Sequence, residues 1–525
     1  MSDSFPRQYA RTQRYTLGEP RNLCVSPDGR RIVFLRSAAG DDPVNALWVM
    51  DAVTGEERLV ADPRTLLGDG ADDDGLPPEE RARRERAREQ AGGITAYATD
   101  AAGTVVACAL NGRLVVGGLV SGRARLLDVE GPVVDPRPDP TATRVAYVSG
   151  PTLRVAELDG TSRVLVGDDE PDTVSWGSAD FVAAEEMHRL RGYWWSPDGT
   201  TIAACRVDTA DVAEWHLADP ARPELEPRVL RYPAAGTANP DVGLHLVRLD
   251  GSRTEVSWDR TGLPYLAAVE WSDAGLVVHV QSRDQRTAVV LEIDVDTGTT
   301  HELARDHDDA WVELVPGTPR LLADGTLVRA AEHDGARRLV LGDEVVTPPD
   351  LQVRAVLAAD DEGVTFLANG IDDATETHVW RRRPDGGLLA LTDEPGIHSA
   401  AAAGGTTVVR SATMDQPGAR VATLGGIELA SLAERPTVVP NVQLLQTGEP
   451  GLATAVLLPH DHDGSPLPVL VDPYGGPHAL RVIRSHDAFL APQWFADQGF
   501  AVVVADGRGT PGRGAAWERN RSSCG

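Results

Sequence analysis

Cysteine is scarce in this sequence. Cys24, Cys108, Cys205 and Cys524 are the only four in 525 residues, and no two form a CxxC pair. Such spacing argues against a disulfide framework or a cysteine zinc site and favours buried free thiols. Long apolar runs are also missing. No stretch approaches the roughly 18 residues of a spanning helix, and the opening MSDSFPRQYARTQRYTLGEP lacks the apolar core of a signal peptide. A cytoplasmic chain with no membrane partner is the expectation. Positive charge is in short supply, with 50 bases against 79 acids and a net charge of −29. Such a surface repels nucleic acid and anionic lipid, and mildly attracts a cationic peptide end subject to screening by salt.

What is present is globular, at 42% hydrophobic and 25% charged residues, and long enough for one large repeat array plus another domain. One pattern recurs, in which an apolar strand, a turn and a second strand lead to a strand with polar ends. We place it at 21–62, 94–128, 133–168, 193–258, 266–305, 310–344, 353–394 and 397–428. Eight units result, or seven if the weak last one is discounted. The turn Ser26-Pro27-Asp28-Gly29 returns as Ser196-Pro197-Asp198-Gly199, and Val49–Gly55 is matched by Glu292–Gly298. Short strands in fours at a period near 40 residues signal a β-propeller, because a lone four-stranded sheet cannot bury both faces but radially packed sheets cover one another. The fold class expected is mainly β, with a propeller over 1–435. Unrelated β-sandwiches are the competing reading.

Two insertions interrupt the repeats. In 62–93, an acidic, glycine-rich loop (Gly68–Gly75) precedes a helix expected over Glu79–Ala91. Pro77-Pro78 opens it, Gly92-Gly93 stops it, and Glu79/Arg83 and Glu80/Arg84 are spaced as ion pairs. A solvated, ion-paired surface helix is the plain reading of such composition. The second insertion, 172–191, puts Glu185 and Glu186 side by side on a short helix, with Asp180 as N-cap and Gly192 as its end. Adjacent carboxylates repel, so a cation between them is favoured, and an ammonium group with three donors suits them. Taken alone, such a pair is more often a solvated face. If both insertions leave the ring towards one opening, they meet at the channel mouth.

From Pro436 the pattern changes. Strands are expected at Thr437–Gln446, Gly451–Pro459, Pro468–Pro473 and Gly499–Asp506, with a helix over Ala488–Gln498. The last two strands are almost wholly apolar, as in sheets buried on both faces, and strand–helix–strand opens an α/β domain over 436–525.

The stretch Asp180–Asp198 (DFVAAEEMHRLRGYWWSPD) resembles the paired-glutamate segment of the dipeptidyl peptidase IV branch of the prolyl oligopeptidase serine peptidase family. Pro473-Tyr474-Gly475-Gly476-Pro477 and Asp506–Gly512 resemble the start of that family's α/β-hydrolase domain. The resemblance implies that Glu185 and Glu186 grip a peptide's free N-terminus. It also implies that an arginine among Arg84, Arg86 and Arg88 holds the substrate's backbone carbonyl, and that Tyr474 donates to the oxyanion. The expected activity is release of N-terminal dipeptides of the Xaa-Pro or Xaa-Ala type, with no cofactor and no metal. A homodimer is implied for a completed protein. No serine has glycine at both the −2 and +2 positions, so the G-x-S-x-G elbow, and with it the nucleophile, acid and base, are not in these residues. Ser485-His486-Asp487 is set aside as a triad because neighbouring side chains should point apart. A truncated and inactive chain is the expectation, and a non-catalytic propeller that binds peptides or a partner protein is the alternative. His460–Asp463 and Asp72–Asp74 read as polar loops rather than metal sites.

Overall fold

The structure, a computed structural model, describes residues 4–68, 76–86, 88–449, 451–474, 476 and 478–519, and only the backbone of Pro78 and Glu79. Asp72–Asp74, Gly475, Pro477 and 520–525 lie outside the described residues.

Eight four-stranded antiparallel units follow one another at 21–61, 98–127, 134–166, 174–255, 265–307, 320–345, 351–390 and 396–429. In the first, Arg21–Val25, Arg31–Ser37, Val44–Asp51 and Glu57–Ala61 pair in chain order. Apolar clusters join blades one to seven in succession, and blade eight joins blade seven through the parallel pairing of Thr377 with Ile397. The ring closes where Val25, Ile32, Phe34 and Met50 of blade one share a core with Val408, Val421 and Leu429 of blade eight. This is the eight-bladed propeller read from the repeats.

The recurring turns recur as hydrogen-bond patterns. Ser26 Oγ donates to Asp28 Oδ1 (2.5 Å) and accepts from Arg31 N (2.9 Å). Ser196 Oγ does the same with Asp198 (2.6 Å) and Thr201 N (3.0 Å). Asp51 and Asp294 each accept two backbone N–H groups in the matched turns. Serine and aspartate side chains here replace the backbone partners that a reversing chain loses.

Blade four departs from expectation. It begins at Val174, not near Tyr193, and its first strand comes in two pieces. Val174–Trp176 pairs with Arg206–Asp208, and Tyr193–Trp195 pairs with Ile202–Ala204. The insertion is therefore a loop thrown out of the middle of a first strand, and a Ser178–Arg191 bridge closes its neck. Gly192 does not end the helix. It sits in this neck, where a Cβ would come within 2.3 Å of the Ser178 carbonyl carbon. The helix spans Phe181–Glu186, and His188 (φ 54°) supplies the left-handed exit while Arg189 N–H bonds back to the Ala183 carbonyl at 3.0 Å.

The other insertion's helix is shorter than expected, Pro78–Arg86. Arg88 turns left-handed (φ 51°), and Gly92–Gly93 form a parallel bridge with Val44–Asn45 of blade one instead of capping.

The C-terminal sheet runs Val442–Thr447, Leu452–Leu457, Ala501–Ala505, Val469–Pro473, and its last pair is parallel. The helix Leu490–Ala496 covers it. Val469–Pro473 is an edge strand with Val469 62% and Val471 60% exposed, so this apolar run is not buried on both faces. The sheet is moored to the ring by a buried Arg337–Glu518 pair at 2.9 Å and by Asn369 Nδ2 donating to the Gly512 carbonyl at 2.8 Å. The N-terminal helix Phe5–Arg11 reaches the helix over this sheet, where Phe5 stacks on Trp494 at 6.2 Å. No helix among the described residues is long and apolar enough to cross a membrane.

Candidate active site

The paired glutamates sit on a helix of two faces. Ala183 and Ala184 are buried, whereas Glu185 and Glu186 are exposed. Asp180 caps the helix by accepting from Ala183 N–H at 3.1 Å. Its second oxygen accepts from the buried Arg189 guanidinium at 2.9 Å. Arg189 also donates to the carbonyls of Leu266 (2.9 Å) and Arg191 (2.8 Å). One buried arginine thus ties the helix start, the neck and blade five together. Below it, burial and the neighbouring Arg137 guanidinium pull Arg191 down to about 9, still charged at neutral pH.

The two insertions meet at Glu185. Arg86 Nε lies 3.6 Å from Glu185 Oε1, with the two side chains 31% and 37% exposed. The same guanidinium stands over the Phe181 ring at 5.4 Å. Phe181 and Glu185 are four apart, on one helix face, and together position Arg86. Tyr232 meets Phe181 edge-on at 5.2 Å, backed by Trp215 at 5.3 Å. The Glu186 carboxylate has no polar partner among the described residues.

The three candidate arginines separate. Arg84 is buried and donates to Glu80 at 2.9 Å and to the Gly93 carbonyl at 3.3 Å. Arg86 faces the glutamates. Arg88 is exposed and lines a large cavity of about 950 Å³, which Arg84 also borders but the glutamates and Tyr474 do not. Glu80 takes both Arg83 (2.7 Å) and Arg84. Burial alone would lift its carboxyl, but the two arginines outweigh that and hold it below its ordinary value.

Tyr474 follows the strand Val469–Pro473, with its ring folded over Gly476, where a Cβ would stand 2.9 Å from the phenol oxygen. Its hydroxyl has no hydrogen-bond partner among the described residues, and the described contacts do not join it to either glutamate. Asp506 takes the N–H groups of Arg481 (3.0 Å) and Val482 (2.9 Å), so the second hydrolase-like motif orders its neighbouring loop. His486 and Asp487 do not point apart, since Nδ1 and Oδ1 are 2.8 Å from one another. Asp487 spends its other oxygen on Gly418 N–H at 3.0 Å, which makes the pair a peg onto blade eight. His460 pairs with Asp497 and Asp463 caps Ser465.

Sequence reasoning missed Arg189 and Phe181. The available signal was a basic residue just beyond a capped helix and an aromatic four residues before a glutamate.

An eight-bladed ring bearing two facing charged insertions is followed by the first strands of an α/β sheet, the architecture of a β-propeller joined to the start of an α/β-hydrolase domain. Two profiles agree, the dipeptidyl peptidase IV (DPP IV) N-terminal region over 110–417 and the prolyl oligopeptidase family over 486–523. The chain belongs to the dipeptidyl peptidase IV N-terminal region family. It is 24% identical over 430 residues to a probable dipeptidyl-aminopeptidase B of Emericella nidulans, covering 71% of this chain and 47% of the relative. To dipeptidyl-aminopeptidase B of Aspergillus niger it is 24% identical over 435 residues, covering 71% and 48%. The chain thus spans about half the length of these relatives. The fold matches the crystal structure of Porphyromonas gingivalis dipeptidyl peptidase 4 with a TM-score of 0.77 at 20% identity, over 99% of this chain and 76% of that one. A putative dipeptidyl aminopeptidase IV from Bacteroides ovatus gives 0.72 at 18%, over 97% and 76%.

Two outcomes are expected. Arg189→Met leaves Asp180 buried without its cation, a loss of about 3–5 kcal/mol. Hydrogen exchange across 178–192 should quicken by about 100-fold or more, and unchanged exchange would remove the staple. A carboxyl with a depressed folded pKa stabilises above its unfolded value, about 4.5 for Glu80, and loses that contribution as pH falls through the folded value. Amide protection over 88–95 should therefore hold at neutral pH and fall as the pH drops below the ordinary glutamate range. In Glu80→Gln it should be low at every pH, and the same acid-induced loss in that variant would contradict the assignment.

Proposed function

We propose that this chain is the substrate-gripping part of a serine-type dipeptidyl aminopeptidase. The observation that carries the reading is the meeting of Arg86 and Glu185 across the two insertions. An α-ammonium seated between Glu185 and Glu186 donates to both, and relieves the repulsion between them. In this reading Arg86 is the arginine that holds the first backbone carbonyl, and in support Arg84 is tied to Glu80 and Arg88 lines the cavity. Its planar fork suits a carbonyl oxygen. The Tyr474 phenol, which has no hydrogen-bond partner among the described residues, is a donor for the oxygen that gains charge during acyl transfer. Anchoring the amino end at a fixed distance from the scissile bond would measure off two residues, of the Xaa-Pro or Xaa-Ala type. A cytoplasmic setting and a homodimer belong to the same proposal, the former supported by free thiols at Cys24, Cys108 and Cys205.

The 525 residues hold no G-x-S-x-G elbow, so on their own they are proposed to bind and not to cut. Calorimetry with Ala-Pro dipeptide tests the grip. A charge-assisted hydrogen bond contributes roughly 1.5–3 kcal/mol, or about tenfold or more in affinity. Glu185→Gln combined with Glu186→Gln should weaken binding at least that far, and N-acetyl-Ala-Pro should not bind. Equal affinity of the free and acetylated dipeptides would end the proposal.

A further inference from the structure

A large cavity lies away from the glutamates. It lies at the seam of the ring, between the first strands of blades one and eight, with the end of the arginine helix and the turn after the N-terminal helix as its remaining walls. Five arginines and three glutamates line it, a local excess of positive charge in a chain of net charge −29. Two of the pairs are satisfied, Arg21 with Glu89 and Arg410 with Glu19. Arg14 and Arg88 have no polar side-chain partner among the described residues, and Glu85 is the carboxylate that stands against them.

The backbone that presents these two cations is unusual. Gln13, Arg14 and Tyr15 are all left-handed, with φ of 48°, 66° and 62°, and Arg88 is left-handed at 51°. Non-glycine residues held this way are strained and cluster at binding sites. Gln13 locks the two walls together, its side-chain amide donating to the Gln90 carbonyl at 3.1 Å. The sequence contains no lysine, so every cation here is a rigid guanidinium fork suited to carboxylates. At about 950 Å³ the space exceeds what a lone inorganic ion needs and suits several residues of a peptide.

We propose that this seam cavity is a second peptide subsite that takes an acidic stretch of a peptide on Arg14 and Arg88. It rests on the reading of the chain as a peptide-binding module but not on the glutamate pair. The arginine helix is the wall shared by both, giving Arg86 to the glutamates and Arg88 to the cavity.

The test uses a fluorescent hexapeptide of alternating Glu and Gly, N-acetylated and C-amidated so that it offers nothing to Glu185 and Glu186. It is compared with the Gln-Gly counterpart on the 525-residue chain. The acidic peptide should bind at least tenfold more tightly, and raising the salt should erase the difference. Arg14→Gln with Arg88→Gln should abolish the preference. If the double variant loses its fold, as read by circular dichroism, each single variant should still reduce the preference about threefold. Equal binding of the two peptides, or a preference that survives in the folded variants, overturns the proposal. So does displacement of the peptide by inorganic phosphate at equal concentration, which would mark an ion site only. Because the peptide is acetylated, failure here leaves the ammonium grip standing, and loss of that grip leaves this result unchanged.

Discussion

A four-stranded sheet with two apolar faces must be covered on both sides, and this constraint orders the whole molecule. Blade after blade supplies the cover, until blade eight meets blade one through Val408, Val421 and Leu429 against Ile32, Phe34 and Met50. Once the ring is closed, the position of every loop is set by the strand it leaves. The paired-glutamate insertion leaves the middle of a first strand, so it has no freedom to drift along the rim. The arginine insertion is pinned at its far end by Gly92–Gly93 against blade one. Their meeting at Arg86 and Glu185 follows from the closure.

Local chemistry then fixes the side chains within that frame. Arg189 is a buried charge that gathers Asp180, Arg191 and Leu266 from separate chain segments, and Glu80 is a buried charge that orders Arg83 and Arg84 of its own helix. Buried charges of this kind contribute little net stability but strongly disfavour alternative arrangements of their partners. Both insertions would otherwise be short helices too small to hold a shape alone. The aromatic chain from Phe181 through Tyr232 to Trp215 extends this support into blade four's own hairpin.

Much of this was legible from the sequence. The Ser-Pro-Asp-Gly turns advertised their hydrogen bonds, and the repeat units other than the fourth became blades with nearly the expected bounds. Asp180 announced its cap. Other features depend on neighbours that no local window contains. Val174–Trp176 is three residues long in a polar stretch, too short for a periodic signal. Arg84 and Arg86 are two apart and point different ways around the helix, Arg88 lies in the left-handed turn beyond its end, and only the packing against Glu80 shows that Arg84 is not spare. The run at Val469–Val471 reads as doubly buried, yet burial belongs to whatever lies beside the strand, and here that side is open. The three left-handed residues at Gln13–Tyr15 carry no glycine to mark them.

A crystal structure of this chain with bound Ala-Pro dipeptide tests the central claim most directly. The account expects the ammonium nitrogen within about 3 Å of both Glu185 and Glu186 carboxylates, with Arg86 turned from Glu185 onto the first carbonyl. A dipeptide seated elsewhere in the ring, with the two carboxylates left facing open solvent, would contradict it.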